Sequence, residues 1–403
     1  MAAVLPARPP GLLDNYTQRP RLVPTAVWTL LRLAVLALTL FECGLLVVRP
    51  RLGLALFWTV AVPLLPGIFA VAPGVWRQVC PMAYMNQLPR LLGRGATRTL
   101  PPALRYWSYL IGVALLVVFV ALRQSLFNRD GMATGALCVA SLVLALAGGL
   151  LFKGRSGWCG TFCPLAPVQR AHGQAPWFVV RNGYCATCVG CQKNCYDFNP
   201  RAAVFGDLDD ADPRHAAQRR LFMAMLPGLI AGYYLTPAPP GGGAALGAYA
   251  LALAACMAVS GGIYLAATAL LKASAYRVVS LFTAAALLLY YVWSGPVLMR
   301  GLPALAGLLP APWLVLASRF IGVPIVVGVW RASLAGERAY RALSLDGGGV
   351  RIDASRLRPA AAPAPEAAGA AAAAPAALPI QIVERRSGKC FAASAEQTLL
   401  EAL

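Results

Sequence analysis

The stretch WCGTFCPLAPVQRAHGQAPWFVVRNGYCATCVGCQKNC, residues 158–195, decides how this chain is read. It holds six cysteines, four of them in the spacing Cys185-x2-Cys188-x2-Cys191-x3-Cys195. Thiolates this close together wrap a short loop around an iron-sulfur cube, so that successive sulfurs reach different iron atoms. Zinc prefers two Cys or His pairs separated by a longer finger or ribbon, and it fits four thiols at these short intervals poorly. Cys185, Cys188, Cys191 and Cys195 are therefore expected metal ligands.

Outward from this run the chain turns apolar. Hydrophobic residues make up 59% and charged residues 12% of 403 positions, with a mean hydropathy of +0.64. Soluble domains carry about a quarter charged residues, so the composition is that of an integral membrane protein. Apolar runs at 27–48, 52–71, 104–122 and 132–152 each approach the ~20 residues that span a bilayer core. Beyond the cysteines, further runs fall at 221–235, 244–271, 278–299 and in a proline-interrupted segment ending at Trp330. The expectation is an all-α membrane protein of about eight transmembrane helices with a cytoplasmic ferredoxin-like loop region. The first run is too long for the core of a secretion signal and lacks a small-residue cleavage site, so it is read as a retained helix.

The net charge of +20, from 35 Lys and Arg against 15 Asp and Glu, could suggest nucleic acid. Its distribution points to topology instead. Arg77, Arg90, Arg94, Arg98 and Arg105 fall in one loop, and nine Lys or Arg fall between 153 and 220. The intervening loops hold only Arg49, Arg51, Arg123, Arg129 and Arg300. An even number of spans then places both termini and the cysteine region on the cytoplasmic side of an inner membrane. A reducing cytosol keeps thiols free for iron and opposes disulfides.

An internal repeat supports this arrangement. The loop after the first hairpin reads VWRQVCPMAYMNQLPR around Cys80, and the loop after the second reads GWCGTFCPLAPVQR around Cys163. Both contain Cys-Pro-apolar-Ala. These residues resemble the membrane-bound 4Fe-4S polyferredoxin-like proteins of the NapH and NosR type, over about residues 27–200. The resemblance implies a four-helix membrane unit with two Cys-x3-Cys-Pro motifs on the cytoplasmic face, followed by ferredoxin-type cysteine runs. It also implies electron transfer between the quinone pool or other donors and a partner redox system.

This chain departs from that pattern at two places. Trp76 stands where the first motif's leading cysteine would be, and Tyr196 follows Cys195 where proline is usual. In two-cluster ferredoxins the first three cysteines of a run hold one cube and the fourth helps hold the other. By that pattern Cys185, Cys188 and Cys191 take a fourth ligand from Cys163 or Cys80. Cys195, Cys159 and the remaining Cys-Pro thiol are then three ligands for a second cluster with a non-cysteine or open fourth position. Alternatively, the four cysteines of the run close one cube by themselves and the Cys-Pro loops are structural.

Other residues receive blander readings. Cys43, Cys138 and Cys256 sit in apolar runs and are expected to pack as small hydrophobes without cysteine neighbours. Arg32 and Glu42 are expected to snorkel, while Arg319 lies mid-segment and is left open. His172 and His215, the only histidines, are expected in solvated loop, which leaves no bis-histidine haem. Asp207, Asp209, Asp210 and Asp212 read as a solvated acidic loop that could dock a basic partner.

Past Trp330 a Pro/Ala-rich linker occupies about 332–378. The tail LPIQIVERRSGKCFAASAEQTLLEAL alternates about Arg386-Ser387-Gly388 and resembles the opening hairpin of plant-type 2Fe-2S ferredoxins, but without that family's ligand loop. No 2Fe-2S centre is expected in 379–403, and the segment is read as a truncated module.

The domain expectation is therefore a cytoplasmic segment 1–26, a membrane unit 27–152, an iron-sulfur region 153–220, a second membrane unit 221–331, the linker, and the tail. The function expected is membrane-bound electron transfer between a quinone or soluble donor and a redox partner protein, with no nucleic acid. A membrane redox or oxygen sensor is the alternative from another class.

Overall fold

The computed structural model describes residues 23–96, 98–153, 157–180, 196, 200–208, 213–237, 243–270, 275–305, 307–331, 380–383 and 390–393. The chain divides into one unit of Gln18–Arg341 and another of Met1–Thr17 with Ala342–Leu403. In the latter, strands β1 (Ile380–Val383) and β2 (Cys390–Ala393) pair antiparallel, with Ile380 opposite Ala393 and Val383 opposite Cys390. That pairing is the one the alternating tail implies, since period-2 patterns about a Gly turn favour a hairpin.

Among its described residues the larger unit is helical. In chain order it holds α1 (Thr25–Val48), α2 (Pro50–Ala55), α3 (Val62–Val71), α4 (Pro73–Val79), α5 (Pro81–Leu91), α6 (Pro102–Leu122) and α7 (Gly131–Leu151). It continues with α8 (Leu165–His172), α9 (Pro200–Leu208), α10 (Pro213–Leu235), α11 (Gly243–Leu270), α12 (Ala275–Leu305) and α13 (Pro312–Ala317). Among the described residues, seven segments are long and apolar enough to cross a membrane: Thr25–Val48, Pro50–Val71, Pro102–Phe127, Gly131–Leu151, Ala244–Leu270, Ala275–Pro303 and Pro312–Arg331. The multi-pass helical class expected from composition is present, and the four N-terminal spans fall within a few residues of their apolar runs.

The expected count of eight is corrected to seven on this criterion. The run at 221–235 is only the latter part of α10, whose first turns carry Arg214, Arg219 and Arg220. Even so, the second half of α10, Phe222 to Tyr233, lies alongside α6 and the stretch that follows it. Near its start the Phe222 and Tyr109 rings are 6.3 Å apart. Near its end the Tyr233 carbonyl accepts from Gln124 Nε2 at 2.6 Å, and the Tyr233 hydroxyl lies 3.2 Å from Asn128 Nδ2.

That far end is tied together by two π-helical stretches, Leu56–Ala61 between α2 and α3, and Arg123–Phe127 after α6. The wider backbone turn re-aims side chains. Trp58 Nε1 donates to the Phe127 carbonyl at 2.8 Å, and the Arg123 guanidinium sits 4.3 Å from the Trp58 ring and 5.0 Å from the Tyr233 ring. Three helical segments thus meet around one cation held by aromatic faces.

At the opposite end, the apolar core gathers α9, α10 and α12 through Phe205, Phe222, Met223, Leu226 and Val279. Phe205 stacks on Tyr276 with centroids 4.2 Å apart. Arg32 does not snorkel. It is buried, with Nε donating to the Gln78 carbonyl at 2.9 Å and Nη2 to Gln78 Oε1 at 2.7 Å. The guanidinium fork fixes α1 to α4, two residues before Cys80.

Candidate metal centre

The two Cys-Pro motifs fold as the openings of two helices. Cys80 precedes α5 with extended backbone angles (φ −54°, ψ 123°), and Pro81 supplies the fixed φ that suits a first helical residue. Cys163 precedes Pro164 and α8, and its thiol accepts from the backbone N–H groups of Leu165 and Ala166. A helix N-terminus presents free donors and favours negative charge, so the Leu165 and Ala166 N–H groups oppose the burial that disfavours a Cys163 thiolate.

The motifs also meet. Burial and then the neighbouring Cys80 sulfur push the Cys163 thiol up to about 12. Two sulfurs this close, in a buried place and beside helix-terminal donors, form a donor set that a cation would hold as thiolates. Cys163 rests on α6 at Gly112, where a Cβ would lie 3.3 Å from the Cys163 carbonyl oxygen. Cys159 lies on the preceding turn, half-buried. The Trp158 carbonyl accepts from the N–H groups of Thr161, Phe162 and Cys163 at 3.0–3.1 Å, which closes that turn tightly.

Among the described residues no three His, Cys, Asp or Glu side chains converge as a complete metal group. Cys185, Cys188, Cys191 and Cys195 lie outside the described residues.

The residue that follows them is described, and it is fixed in place. The Tyr196 carbonyl accepts from Arg77 Nη2 at 2.7 Å, and Arg77 lies three residues before Cys80. The Tyr196 hydroxyl bonds Asp207, and the Arg170 guanidinium stands 5.0 Å from the Tyr196 ring. Arg170 belongs to α8, the helix that Cys163 opens. Asp207 in turn pairs with Arg170 at 3.2 Å and Arg219 at 3.4 Å. Burial holds the Tyr196 phenol well above its ordinary pKa, so it donates to the carboxylate rather than ionising.

Tyr196 therefore joins the arms that carry Cys80 and Cys163. Asp207 is not part of a solvated acidic loop: its side chain is only 15% exposed and is held by two arginines. Asp209, Asp210 and Asp212 lie outside the described residues.

His172 is likewise not solvated. It is buried at the last position of α8, and burial pushes its pKa down to about 4. It lines a small cleft of about 20 Å³ with Gln174, Ser280, Thr283, Leu287 and Trp330. Gln174 Nε2 donates to the Thr283 hydroxyl at 3.1 Å, and the Ser280 hydroxyl donates to Gln174 Oε1 at 2.9 Å. The cleft thus has one polar wall of neutral groups and one apolar wall. Sequence patterning offers no sign of it, because its residues come from four segments far apart in the chain.

Of the other singled-out residues, Arg319 reaches the Val292 carbonyl at 3.1 Å, and Glu42 buries Oε1 without a hydrogen-bond partner. No family model, no curated protein and no solved structure matches the chain.

Proposed function

We propose that the protein is a membrane-bound electron carrier whose iron-sulfur centre is held by thiolates of Cys80, Cys159, Cys163, Cys185, Cys188, Cys191 and Cys195. The observation that carries the reading is the tether of Tyr196 to Arg77 and Arg170. Tyr196 follows Cys195 in sequence, and Arg77 and Arg170 belong to the arms that carry Cys80 and Cys163.

A 4Fe-4S cluster bound there supplies one-electron transfer. The chain's own groups do the rest. Helix-terminal N–H groups hold negative sulfur, buried packing around Trp158 and Ala171 excludes water, and Arg77 and Arg170 add positive charge near the site. Anaerobic purification followed by iron, sulfide and zinc analysis and low-temperature EPR tests this. About four iron and four acid-labile sulfide per chain are expected, or about eight of each with a second centre. Zinc without sulfide would end the proposal.

A further inference from the structure

At the other end of the first membrane unit, α1 and α7 pack against each other closely enough to bring their backbones into contact. A Cβ at Gly131 would lie 2.2 Å from the Leu46 carbonyl oxygen, and one at Gly135 would lie 3.7 Å from the Cys43 carbonyl oxygen. At Gly131 only a residue without a side chain allows this approach, whereas Gly135 would meet α1 in ordinary van der Waals contact.

On that seam Cys43 and Cys138 meet, although their sequence positions suggest two unrelated small hydrophobes. Both are buried, and their thiols are hydrogen-bonded to each other. The carboxylate of Glu42 interacts electrostatically with both sulfurs, and its buried Oε1 has no hydrogen-bond partner. A buried acceptor left unpaired is costly unless it has work to do.

We propose that Cys43 and Cys138 form a redox-active dithiol, oxidised to a disulfide by a lipid-soluble quinone, with Glu42 as the proton acceptor. Two S–H bonds break and one S–S bond forms. The two electrons and two protons pass to the quinone, which leaves as the quinol. Glu42 takes the first thiol proton and so creates the attacking thiolate.

The oxidant reaches the pair through lipid, because the seam is only one helix thick. Leu38 (65% exposed) and Phe41 (63%) face outward from α1, and Val139 and Val143 face outward from α7. The pair sits within about two turns of the end of α1 and of the start of α7, away from the Cys-Pro motifs. The product is a covalent clamp between α1 and α7. Since α1 also holds Gln78 through Arg32, the clamp stiffens the support beneath Cys80. This inference does not depend on the iron-sulfur reading.

The test uses the full chain in phospholipid nanodiscs, first reduced and then exposed anaerobically to decylubiquinone. Samples are quenched over time in denaturant with N-ethylmaleimide, and peptides are mapped without reduction. A cross-linked peptide pair containing residues 43 and 138, reversed by a phosphine reductant, is the expected product. Glu42→Gln is expected to slow its appearance by roughly ten- to a hundred-fold. Cys43→Ala, with Cys138→Ala as a second variant should the first fold poorly, leaves the remaining thiol open to alkylation.

Recovery of both residues as maleimide adducts from the quinone-treated wild type would overturn the proposal. So would a quinone adduct on one sulfur with no cross-link. Unchanged kinetics in Glu42→Gln would remove Glu42 from the scheme.

Discussion

A single tyrosine marks where the cysteine run has to end. Tyr196 is expected to contribute through its hydroxyl, since hydrogen bonds to charged groups are worth about 1.5–3 kcal/mol. Tyr196→Phe should lower the apparent Tm of the detergent-solubilised protein by several degrees while retaining most of its iron. Asp207→Ala is more severe, because it leaves Arg170 and Arg219 without their shared carboxylate. Breaking such a pair costs about 3–5 kcal/mol when fully buried, and somewhat less at 15–24% exposure. Iron content in Asp207→Ala should fall along with Tm, read by colorimetric iron assay against protein mass.

His172 adds a pH dependence of definite sign. Its folded pKa is about 4 against 6.5 for a free imidazole, so between those values the unfolded chain binds the extra proton. Its contribution is fully present above pH 6.5 and is lost as pH falls toward 4, by up to about 3 kcal/mol. Thermal unfolding at pH 7.5 and pH 5 should show this slope in the wild type and a weaker one in His172→Gln. The spacing of the cysteine run is local and stands in the sequence itself. The Tyr196 tether and the burial of His172 were not legible there, because both depend on α9, α10 and α12 arriving from elsewhere in the chain.

Elements were legible in proportion to how far their own composition determined them. The four N-terminal spans are long apolar runs closed by Pro, Gly and Arg, and they needed nothing beyond that. The internal repeat was legible as Cys-Pro, and the structure adds why it works: each proline opens a helix with its cysteine at the positive end. How those helices are held was hidden. α5 lies against α7 at Gly149, where a Cβ would come 2.0 Å from the Asn86 carbonyl oxygen, and Asn86 Nδ2 donates to the Ala145 carbonyl at 3.0 Å. Gly149→Ala is therefore expected to push α5 away and to cost about 1–3 kcal/mol by overpacking. Gly44→Ala in α1 is the contrast, since nothing lies within 4 Å of its Cβ position. There the helix should be unchanged or more stable by up to about 1 kcal/mol. Parallel thermal melts of the two variants check both signs.

At the scale of the molecule the open issue is whether α10 crosses the bilayer, because the answer sets the side on which residues after 235 emerge. Composition alone leaves it out, since its first turns are charged and its apolar part, 15 residues long, spans only about 22 Å. Geometry argues for crossing. α6 is a span by composition, and α10 touches it near Tyr109 at one end and near Gln124 at the other. Helices that run side by side between those two contacts, from Phe222 to Tyr233 on α10, share that depth. The charged start of α10 stays with Asp207 at the end where the Cys-Pro motifs lie. Its short apolar part is tolerated because Phe222, Met223, Leu226 and Leu229 are buried against protein rather than lipid. On this argument α10 would add an eighth crossing to the seven segments that composition supports. Reporter fusions after Lys153 and after Arg331 should then report the same side of the membrane, and the positive-inside charge bias predicts that they report the cytoplasm. Opposite sides would mean that α10 lies at the membrane surface, and the residues beyond it would need to be inverted.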